Sequence, residues 1–376
     1  MTSCDFLVVG AGIAGATAAY GLSPLGRVIV LERESLPGYH TTGRSAAFYA
    51  ETYGNAAVRA LTSASKGFLL NPPKEFTDVP LVRDRGAIYI ARADQRHSLE
   101  DFYRFHKPAL PALAWLEAHE VAARLPLLKS GYAVAGVYDP ECRDIDVNAL
   151  HQGFLRAARA NGAELITNAG VLAIARRGAV WQAVTGAGDF EAPVLVNAAG
   201  AWADELAGLA GAKKLALAPK RRTVIMFPAP PELAHDDWPL ALDVDDQFYL
   251  KPEHGQILAT PGDATPMPPQ DVQPDEMEIA LTVDRLETAF DFRVAKVSRK
   301  WAGLRTFAPD DTPVIGFDAE TPGFFWCAGQ GGYGMQTAAA IAAAIPALAS
   351  GKALPETLTR FGVTEAALSP RRFRRP

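Results

Sequence analysis

Cysteine is scarce in this chain of 376 residues. Cys4, Cys142 and Cys327 are far apart and form no Cys-x-x-Cys pair. This pattern argues against a disulfide framework and a cysteine zinc site, and it is typical of a reducing compartment. We therefore predict a cytoplasmic protein.

Metal-ligand patterns are also missing. His151, His235 and His254 stand alone in the sequence, without the spacing of a metal-binding motif. We interpret them as surface or packing residues, and the sequence predicts no metal.

The chain has neither a long hydrophobic run nor an excess of positive charge. The longest apolar stretch, residues 337–349, is too short to span a bilayer and is interrupted by Pro346. The N-terminus carries Asp5 and then a strand-like run, which predicts no signal peptide. Because the formal net charge is −5, no basic surface is expected for nucleic acid. We predict no transmembrane segment and no nucleic-acid partner.

The remaining composition is that of an ordinary globular protein, with 49% hydrophobic and 21% charged residues. A chain of this length exceeds the size at which single cores stop growing, so two domains are expected.

The N-terminus has the pattern of a strand–helix–strand unit. Residues 5–9 and 28–31 are predicted strands, and residues 13–23 form a helix between them. The motif Gly10-Ala11-Gly12-Ile13-Ala14-Gly15 lies where the first strand meets the helix, and Glu32 ends the second strand. Such glycines allow a tight turn, close approach to a pyrophosphate and close helix packing, while the carboxylate binds a ribose hydroxyl. The sequence therefore predicts a dinucleotide site.

Three further segments favour FAD over NAD. Residues 41–47 (TTGRSAA) follow Glu32 closely, and residues 197–200 (NAAG) end a buried strand. Residues 329–334 (GQGGYG) lead into the last long helix, whose N-terminal dipole stabilises negative charge on a flavin ring.

The remainder of the chain alternates between two patterns. Asn71-Pro72-Pro73 stops a helix over residues 58–70, and Asp146 is the predicted N-cap of another. Between strands 87–91 and 133–138 we predict a helix-rich segment that holds Trp115 and Leu116. The further predicted strands are 164–167, 171–175, 180–185, 194–200, 222–227, 247–252 and 256–260, with a helix over 275–290.

The predicted fold class is α/β, with a Rossmann-like FAD-binding domain and a β-rich α+β substrate domain. The FAD-binding domain comprises residues 1–76, 144–216 and 311–376, and the substrate domain comprises residues 77–143 and 217–310.

These motifs resemble the glycine/D-amino-acid oxidase (DAO) family of FAD-dependent oxidoreductases. The resemblance rests on HTTGRSAA (40–47), VNAAGAWAD (196–204), QFYLKP (247–252), WAGLRTFAPDDTPVIG (301–316) and GQGGYGMQTA (329–338), which occur in family order. Within the family the chain is most similar to the bacterial D-arginine dehydrogenases. The resemblance implies an amino-acid substrate over one flavin face, oxidised to an imino acid that hydrolyses to a 2-oxo acid and ammonia.

The resemblance also implies how FAD is held. Sarcosine-oxidase-like members attach the flavin through a cysteine, where this chain has Gly303, so noncovalent FAD is expected. The predicted cofactor residues are Gly10, Gly12, Ile13, Ala14, Gly15, Glu32, Arg33, Thr41, Thr42, Gly43, Arg44, Ser45, Ala46, Ala47, Val171, Ala199, Gly200, Trp202, Gly303, Gly331, Gly332, Tyr333, Gly334, Met335 and Gln336.

The resemblance implies five catalytic residues. Arg222 and Arg305 clamp the substrate carboxylate, a task that suits the planar guanidinium, and Tyr249 adds a phenolic donor. Tyr53 corresponds to a substrate-side tyrosine on a mobile loop. Gln336, with the backbone around Gly332, corresponds to the amino-group and water site. Plainer interpretations remain open: a solvated basic turn for Arg222, strand packing for Tyr249 and a surface aromatic for Tyr53.

Two departures from the arginine-oxidising relatives concern the substrate pocket. Phe48 and Ala87 stand where those relatives carry a histidine and a glutamate. Because a buried cationic side chain needs a partner, we expect apolar or smaller side chains to be preferred.

The predicted function is oxidative deamination of a D-amino acid by hydride transfer to FAD, with a quinone or another carrier as acceptor. A first alternative is an oxidase that uses O₂ on a D-amino acid, glycine or an N-alkyl amine. A second is an FAD-dependent 2-hydroxy-acid dehydrogenase, which needs a base that is not evident. A third, a flavin-binding module acting on tRNA, lacks the expected basic stripe.

Overall fold

The structure is a computed structural model that describes residues 1–233 and 237–373. His235 lies outside these residues. The described residues form the helices α1 (Ile13–Leu22), α2 (Ala56–Leu70), α3 (Arg96–His106), α4 (Ala118–Arg124), α5 (Val147–Ala160), α6 (Ala203–Leu209), α7 (Glu276–Ala289), α8 (Gly334–Ala349), α9 (Glu356–Thr359) and α10 (Glu365–Leu368).

The strands are short and come from every part of the chain. They are β1 (Thr2–Ser3), β2 (Phe6–Val9), β3 (Val28–Leu31), β4 (Phe48–Tyr49), β5 (Val82–Asp84), β6 (Ala87–Ala91), β7 (Ala114–Glu117), β8 (Ala135–Asp139), β9 (Arg143–Ile145), β10 (Glu164–Ile166), β11 (Val171–Arg177), β12 (Val180–Thr185), β13 (Gly188–Ala192), β14 (Val194–Asn197), β15 (Ala218–Pro228), β16 (Leu240–Asp243), β17 (Tyr249–Glu253), β18 (Gln256–Thr260), β19 (Thr265–Pro266), β20 (Arg299–Phe307), β21 (Val314–Phe317) and β22 (Phe324–Ala328).

A six-stranded sheet is the centre of the part that the sequence predicts to bind a dinucleotide. Its strand order is β10-β3-β2-β14-β22-β21, parallel except for β21. Successive residues of β2 enter different cores: Val8 packs in the core with α1 and α8, whereas Leu7 and Val9 pack in the core with α6. Both faces are therefore covered, as the continuous apolar run of β2 requires.

A second sheet covers the other face of this layer. Its order is β1-β13-β12-β11, and Trp181 and Phe190 of this sheet pack in the same core as Leu7. The six-stranded sheet thus lies between a helical layer and a smaller sheet.

The largest sheet has the order β19-β15-β18-β17-β16-β6-β8-β7, with β20 paired to β15. One face packs against α7 and α4 through residues such as Ile225 and Leu250. The other face carries Val224 and Tyr249, which line the cavity described below. The mixed α/β architecture confirms the predicted fold class.

A small three-stranded sheet, β4-β9-β5, joins distant parts of the chain. Phe48 pairs with Asp144, and Arg83 pairs with Asp144 from the other side. Its strands come from both predicted domains, and β9 lies across the predicted boundary between residues 143 and 144.

Several local predictions are confirmed. The Asp146 side chain accepts a hydrogen bond from the Ala149 N–H at 2.8 Å and caps α5. Asp275, the first residue of the predicted 275–290 helix, caps α7. Helix α2 ends at Leu70, before the Asn-Pro-Pro segment.

One local prediction is wrong. Trp115 and Leu116 lie in β7 rather than in a helix. This segment pairs with β8 at the edge of the large sheet, where Leu116 is buried in the core. The pairing partner is remote in sequence, so tertiary contacts decide the conformation.

No helix within the described ranges is long and apolar enough to cross a membrane.

Candidate active site

A cavity of about 620 Å³ opens at the carboxyl ends of the parallel strands. Its wall includes Val9 at the end of β2, Glu32 after β3, Ala198 after β14 and Gln330 after β22. It continues to the large sheet, where Arg222 and Tyr249 line it. In open α/β sheets this edge binds ligands, and the volume lies in the range of small-molecule and cofactor sites.

The end of the cavity that is lined by Gly10, Gly12 and Glu32 is called the nucleotide end here. Glycines shape it because a Cβ atom would clash with neighbouring backbone. A Cβ on Gly15 would lie 1.7 Å from the Gly10 carbonyl oxygen, and one on Gly10 would lie 2.4 Å from the Ala198 carbonyl oxygen. Gly10 also has a φ of +101°. The loop therefore depends on glycine at both positions, and its backbone borders the cavity through Gly10 and Gly12.

Glu32 holds this loop in place. Its carboxylate accepts hydrogen bonds from the Ala11 N–H at 2.8 Å and the Glu34 N–H at 3.0 Å. It is 7% exposed and lines the cavity, so lone pairs remain for a ribose hydroxyl. The Ile13 N–H, at the start of α1, donates to the Thr42 hydroxyl at 2.9 Å.

His151, on α5, supports the same loop through a contact that was not predicted from the sequence. Its Nε2 lies 2.8 Å from the Ala11 carbonyl oxygen, and the side chain is buried. Burial lowers the pKa of His151, so the imidazole is neutral and donates to this carbonyl. The position of His151 on the buried face of α5 could have indicated a structural role. No sequence pattern indicated its contact with Ala11, which is remote along the chain.

A row of packed rings and guanidinium groups lies along the outer wall of the nucleotide end. The Arg33 guanidinium lies 4.7 Å from the Trp202 ring, which lies 4.8 Å from the His40 ring. Tyr39 packs on His40 at 5.0 Å, and Arg44 lies 5.2 Å from the Tyr39 ring. The sequence analysis selected Arg33, Arg44 and Trp202 but not His40 and Tyr39, although both adjoin the predicted small-residue segment.

Most predicted cofactor residues line this cavity. They are Gly10, Gly12, Ile13, Ala14, Glu32, Arg33, Thr41, Thr42, Arg44, Ser45, Ala46, Ala47, Val171, Ala199, Gly200, Trp202, Gly303, Gly331, Gly332, Gly334, Met335 and Gln336. Gly15, Gly43 and Tyr333 are outside the lining. Gly15 packs on the Gly10 backbone, Gly43 donates its N–H to the Gly38 carbonyl, and Tyr333 packs on Phe307.

The C-terminal glycine loop reaches the other end of the cavity. Gly331 has a φ of +55° and donates its N–H to the Thr306 carbonyl at 2.8 Å. A Cβ on Gly332 would lie 2.8 Å from Arg305 Nη1 and 3.1 Å from the Tyr53 hydroxyl. Glycine at this position therefore leaves room beside two of the predicted catalytic groups.

Strand register brings the two predicted arginines together. Arg222 on β15 is directly opposite Gly303 on β20, and Arg305 is two residues further along β20. Residues at such diagonal positions share one face of a sheet. Both arginines line the cavity, with Gly303 between them on that face.

The two arginines are held differently. Arg222 is buried, and its Nε and Nη2 donate to the carbonyls of Asp263 and Gly262 at 2.8 and 3.0 Å. Its Nη2 also lies 3.4 Å from the half-exposed carboxylate of Asp246. Arg305 has one hydrogen-bond partner among the described residues, the Tyr53 hydroxyl at 3.0 Å. The Arg305 side chain therefore keeps most of its donors for a ligand.

Aromatic rings surround the arginines. Tyr249 meets Phe48 edge to face at 5.7 Å, Phe48 lies 5.9 Å from Tyr53, and Tyr53 lies 4.9 Å from Tyr333. Burial raises the pKa of Tyr249 despite the two nearby arginines, so its phenol stays protonated. Val224 continues the apolar lining beside Arg222.

Gln336 lines the cavity, but its amide is already used. Its Oε1 accepts from the Ala50 N–H at 3.3 Å, and its Nε2 donates to the Thr62 hydroxyl at 2.9 Å. The side chain therefore holds the segment before Tyr53 to α2, which differs from the amino-group contact that the resemblance implies.

Ala87 does not line the cavity, so the predicted contact with the substrate is not supported by the structure. It is fully buried in β6, opposite Leu240 and Asp139 on the neighbouring strands. Phe48 packs against the core cluster to which Ala87 belongs.

Acidic residues are confined to one end of the cavity. Among the described residues, the acids that line it are Glu32 and Glu205, and Glu205 lies on α6, after Trp202. The opposite end of the cavity, which the resemblance assigns to the substrate, is called the substrate end here. It combines arginines, tyrosines and apolar groups. The part of the chain that the structure describes contains no His, Cys, Asp and Glu cluster able to hold a metal ion.

Fold and cavity together are those of a dinucleotide-dependent oxidoreductase, and comparison with known proteins agrees. A family model described as FAD-dependent oxidoreductase (DAO) matches residues 5–348. The chain belongs to this family of FAD-dependent oxidoreductases.

Relatives and solved structures match over nearly the whole chain. The hydrogen cyanide synthase subunit HcnC of Pseudomonas aeruginosa is 25% identical, with 95% of each chain covered. The glycine oxidase of Bacillus licheniformis is 25% identical, covering 86% of this chain and 87% of the relative. The FAD-bound L-α-glycerophosphate oxidase of Mycoplasma pneumoniae has a TM-score of 0.84 at 20% identity, covering 93% and 95%, and shows the shared fold.

The cavity fits FAD. The glycine loop leaves backbone where a pyrophosphate approaches, Glu32 lies at the strand end for a ribose, and the space continues past Gly303 to the arginines.

Proposed function

We propose that this enzyme oxidises a small amino acid, namely a D-amino acid with an apolar or small side chain, to its imino acid. The imino acid then hydrolyses to a 2-oxo acid and ammonia. Bound FAD supplies the hydride acceptor. The observation that carries the proposal is the pair Arg222 and Arg305 at a cavity end whose described lining has no carboxylate.

The arginines would bind the substrate carboxylate. Guanidinium donors match the two oxygens of a carboxylate, and a partly buried pair of cations without a full set of partners favours an anionic ligand. The Tyr249 phenol, kept protonated by burial, adds a donor. Fixing the carboxylate at two strands orients the α-carbon in the space above Gly303.

The chain needs no strong base for an amine substrate. When the amine is neutral, the nitrogen lone pair assists departure of the α-hydride, so the pocket needs only to favour the neutral amine. Two nearby arginines do this because they disfavour a further positive charge on the substrate nitrogen.

The absence of a base weighs against the 2-hydroxy-acid alternative. A hydroxyl proton must be removed during oxidation, and no carboxylate among the described residues lines the substrate end. His40 lines the cavity but is packed between the rings of Tyr39 and Trp202, at the nucleotide end. An amine is therefore the better substrate class.

Phe48, Val224 and Tyr249 support an apolar side chain. In the D-arginine dehydrogenase group, to which we relate the chain by its motifs, a histidine takes the place of Phe48. The proposal expects a higher kcat/KM for D-leucine than for D-arginine.

FAD would be held noncovalently. Gly303 offers no thiol, and Cys4, Cys142 and Cys327 are all buried and absent from the cavity lining. Acid precipitation of the yellow holoenzyme should leave all flavin in the supernatant, and flavin in the pellet would contradict this.

The decisive experiment is anaerobic bleaching of the bound flavin by matched D- and L-amino acids and by 2-hydroxy acids. We expect bleaching by D-alanine and D-leucine, weak bleaching by D-arginine and none by lactate. Bleaching by lactate alone would refute the amine assignment. Peroxide formation in air would identify the oxidase alternative, for which the similarity to a glycine oxidase is the supporting observation.

A further inference from the structure

Two contacts side by side join the three-stranded sheet to the large sheet. Phe48 and Asp144 are directly opposite in an antiparallel pair, so their side chains share a face. Tyr249 and Lys251 are two residues apart on β17 and share a face as well. The rings of Phe48 and Tyr249 meet at 5.7 Å, and Lys251 Nζ lies 2.8 Å from Asp144 Oδ1.

The ring contact faces the cavity, whereas the ion pair lies behind it. Phe48 and Tyr249 line the cavity; Asp144 and Lys251 do not. The Lys251 and Asp144 side chains are 6% and 15% exposed. Glu253, 2.8 Å away, is a second partner of Lys251, and Arg85 contacts the other Asp144 oxygen at 2.6 Å.

This ion pair has a defined geometry. Burial alone would lower the pKa of Lys251, but Asp144 and Glu253 raise it above its ordinary value, so the ammonium stays charged. Buried ion pairs often stabilise a protein no better than apolar residues of similar size, yet they require close and directed contact. What Lys251 and Asp144 supply is therefore a fixed separation between β9 and β17.

We propose that the Lys251–Asp144 pair is a positioning element that fixes where the contacting rings of Phe48 and Tyr249 stand in the cavity wall and so determines which substrate side chains fit. The inference rests on the proposed function in one respect, namely that these rings face an amino-acid side chain. Arg222 and Arg305 lie on β15 and β20, so the carboxylate contact does not depend on this pair. Loss of the pair should change binding and KM rather than kcat.

The test uses Lys251→Met holoenzyme and carboxylates of increasing width. Binding of acetate, isobutyrate and benzoate is followed by the flavin absorbance change, which needs no turnover. We expect the benzoate-to-acetate ratio of Kd to change about fivefold or more. The ratio of KM for D-leucine and D-alanine should change alike, with kcat within about twofold.

Two variants serve as controls. Lys251→Arg keeps the charge and should restore the wild-type ratios. Arg92→Met removes the cation 3.2 Å from the buried Asp243 carboxylate, in the same sheet but outside the cavity lining, and should leave the ratios unchanged. If Lys251→Met yields no folded holoenzyme, Lys251→Gln keeps a donor without the charge and should show a smaller change in the same direction.

The outcomes separate this inference from the proposed function. Unchanged ratios in Lys251→Met or Lys251→Gln, with or without a lower Tm, overturn the positioning role and leave the proposed function intact. A wild-type flavin that responds to no carboxylate refutes the arginine clamp, and this inference with it.

Discussion

The two ends of the cavity are built in opposite ways. At the nucleotide end the inner wall is the backbone of the glycine loop, and Gly10, Gly12 and Glu32 come from one short stretch of chain. At the substrate end the wall is side chains, and Phe48, Arg222 and Arg305 come from strands far apart in sequence.

This difference explains which end tolerates change. A backbone wall requires that Cβ atoms be absent, so a substitution acts on the fold and on cofactor binding together. A side-chain wall stands on a sheet that folds without it, so a substitution there acts first on the substrate. It acts on stability as well only where the side chain also binds the backbone, as Arg222 does. The predictions below test this contrast.

The largest effect is expected for Gly15→Ala. The new Cβ would lie 1.7 Å from the Gly10 carbonyl oxygen, which is backbone and cannot turn aside. We expect a loss of about 3 kcal/mol or more in unfolding free energy, and purified protein without flavin. The ratio of flavin to protein absorbance measures the flavin content, and thermal denaturation measures the loss of stability. Normal flavin content would refute the backbone description of this end.

The next effect concerns the arginines. Arg305→Met should lower kcat/KM by about 2–4 kcal/mol in transition-state terms, with flavin content unchanged. Arg222→Met should lower it similarly and also reduce stability, because Arg222 binds the Asp263 and Gly262 carbonyls. Steady-state kinetics and denaturant unfolding distinguish the two. Arg299→Met, at an exposed position of β20, is the control and should behave as wild type.

A third prediction concerns the buried carboxyl behind the substrate end. Burial, with Glu51 and Glu141 nearby, raises the pKa of Asp139 to about 6. Below about pH 4 the Asp139 carboxyl is protonated in both the folded and the unfolded protein. As the pH rises to 6, the unfolded protein loses this proton first, which lowers the free energy of unfolding. Asp139→Asn should therefore raise the unfolding free energy by up to about 3 kcal/mol at pH 8 and not at pH 4.

Urea unfolding at both pH values measures this difference. Asp189→Asn, at an exposed position, is the control for replacing a carboxylate by an amide. An equal effect of Asp139→Asn at pH 4 and pH 8 would contradict the raised pKa of Asp139.

The Asp139 carboxyl also makes Ala87→Glu unfavourable, because the new acid would stand directly opposite Asp139.

The smallest effect is expected for Gly67→Ala. Gly67 is an exposed residue inside α2, and a Cβ there would have no neighbour within 4 Å. The variant should gain about 0.5–1 kcal/mol in unfolding free energy and keep its flavin. A loss of flavin would show that glycine substitutions act generally rather than through the Gly10–Gly15 contact.

The sequence predicted the nucleotide end well because its causes are local. Gly15 and Glu32 contact Gly10 and Ala11 within one strand–helix–strand unit, and Asp146 caps the helix that follows it in sequence. The arginines required the resemblance, since only the register of β15 and β20 brings them together. The burial of Ala87 outside the cavity, the strand conformation of Trp115 and the bond from His151 to Ala11 were not predicted, because remote strands and loops determine these surroundings.

The pairing of distant strands also has a consequence for biosynthesis. Strand β14 pairs with β2 on one side and with β22 on the other, and α1 packs against α8. The glycine loop therefore lacks its final neighbours until Phe324–Ala349 has left the ribosome. Such high contact order slows folding and exposes apolar strands in the meantime. Cofactor capture is expected only once this segment is available to pack, so flavin supply and chaperones should limit the yield of holoenzyme.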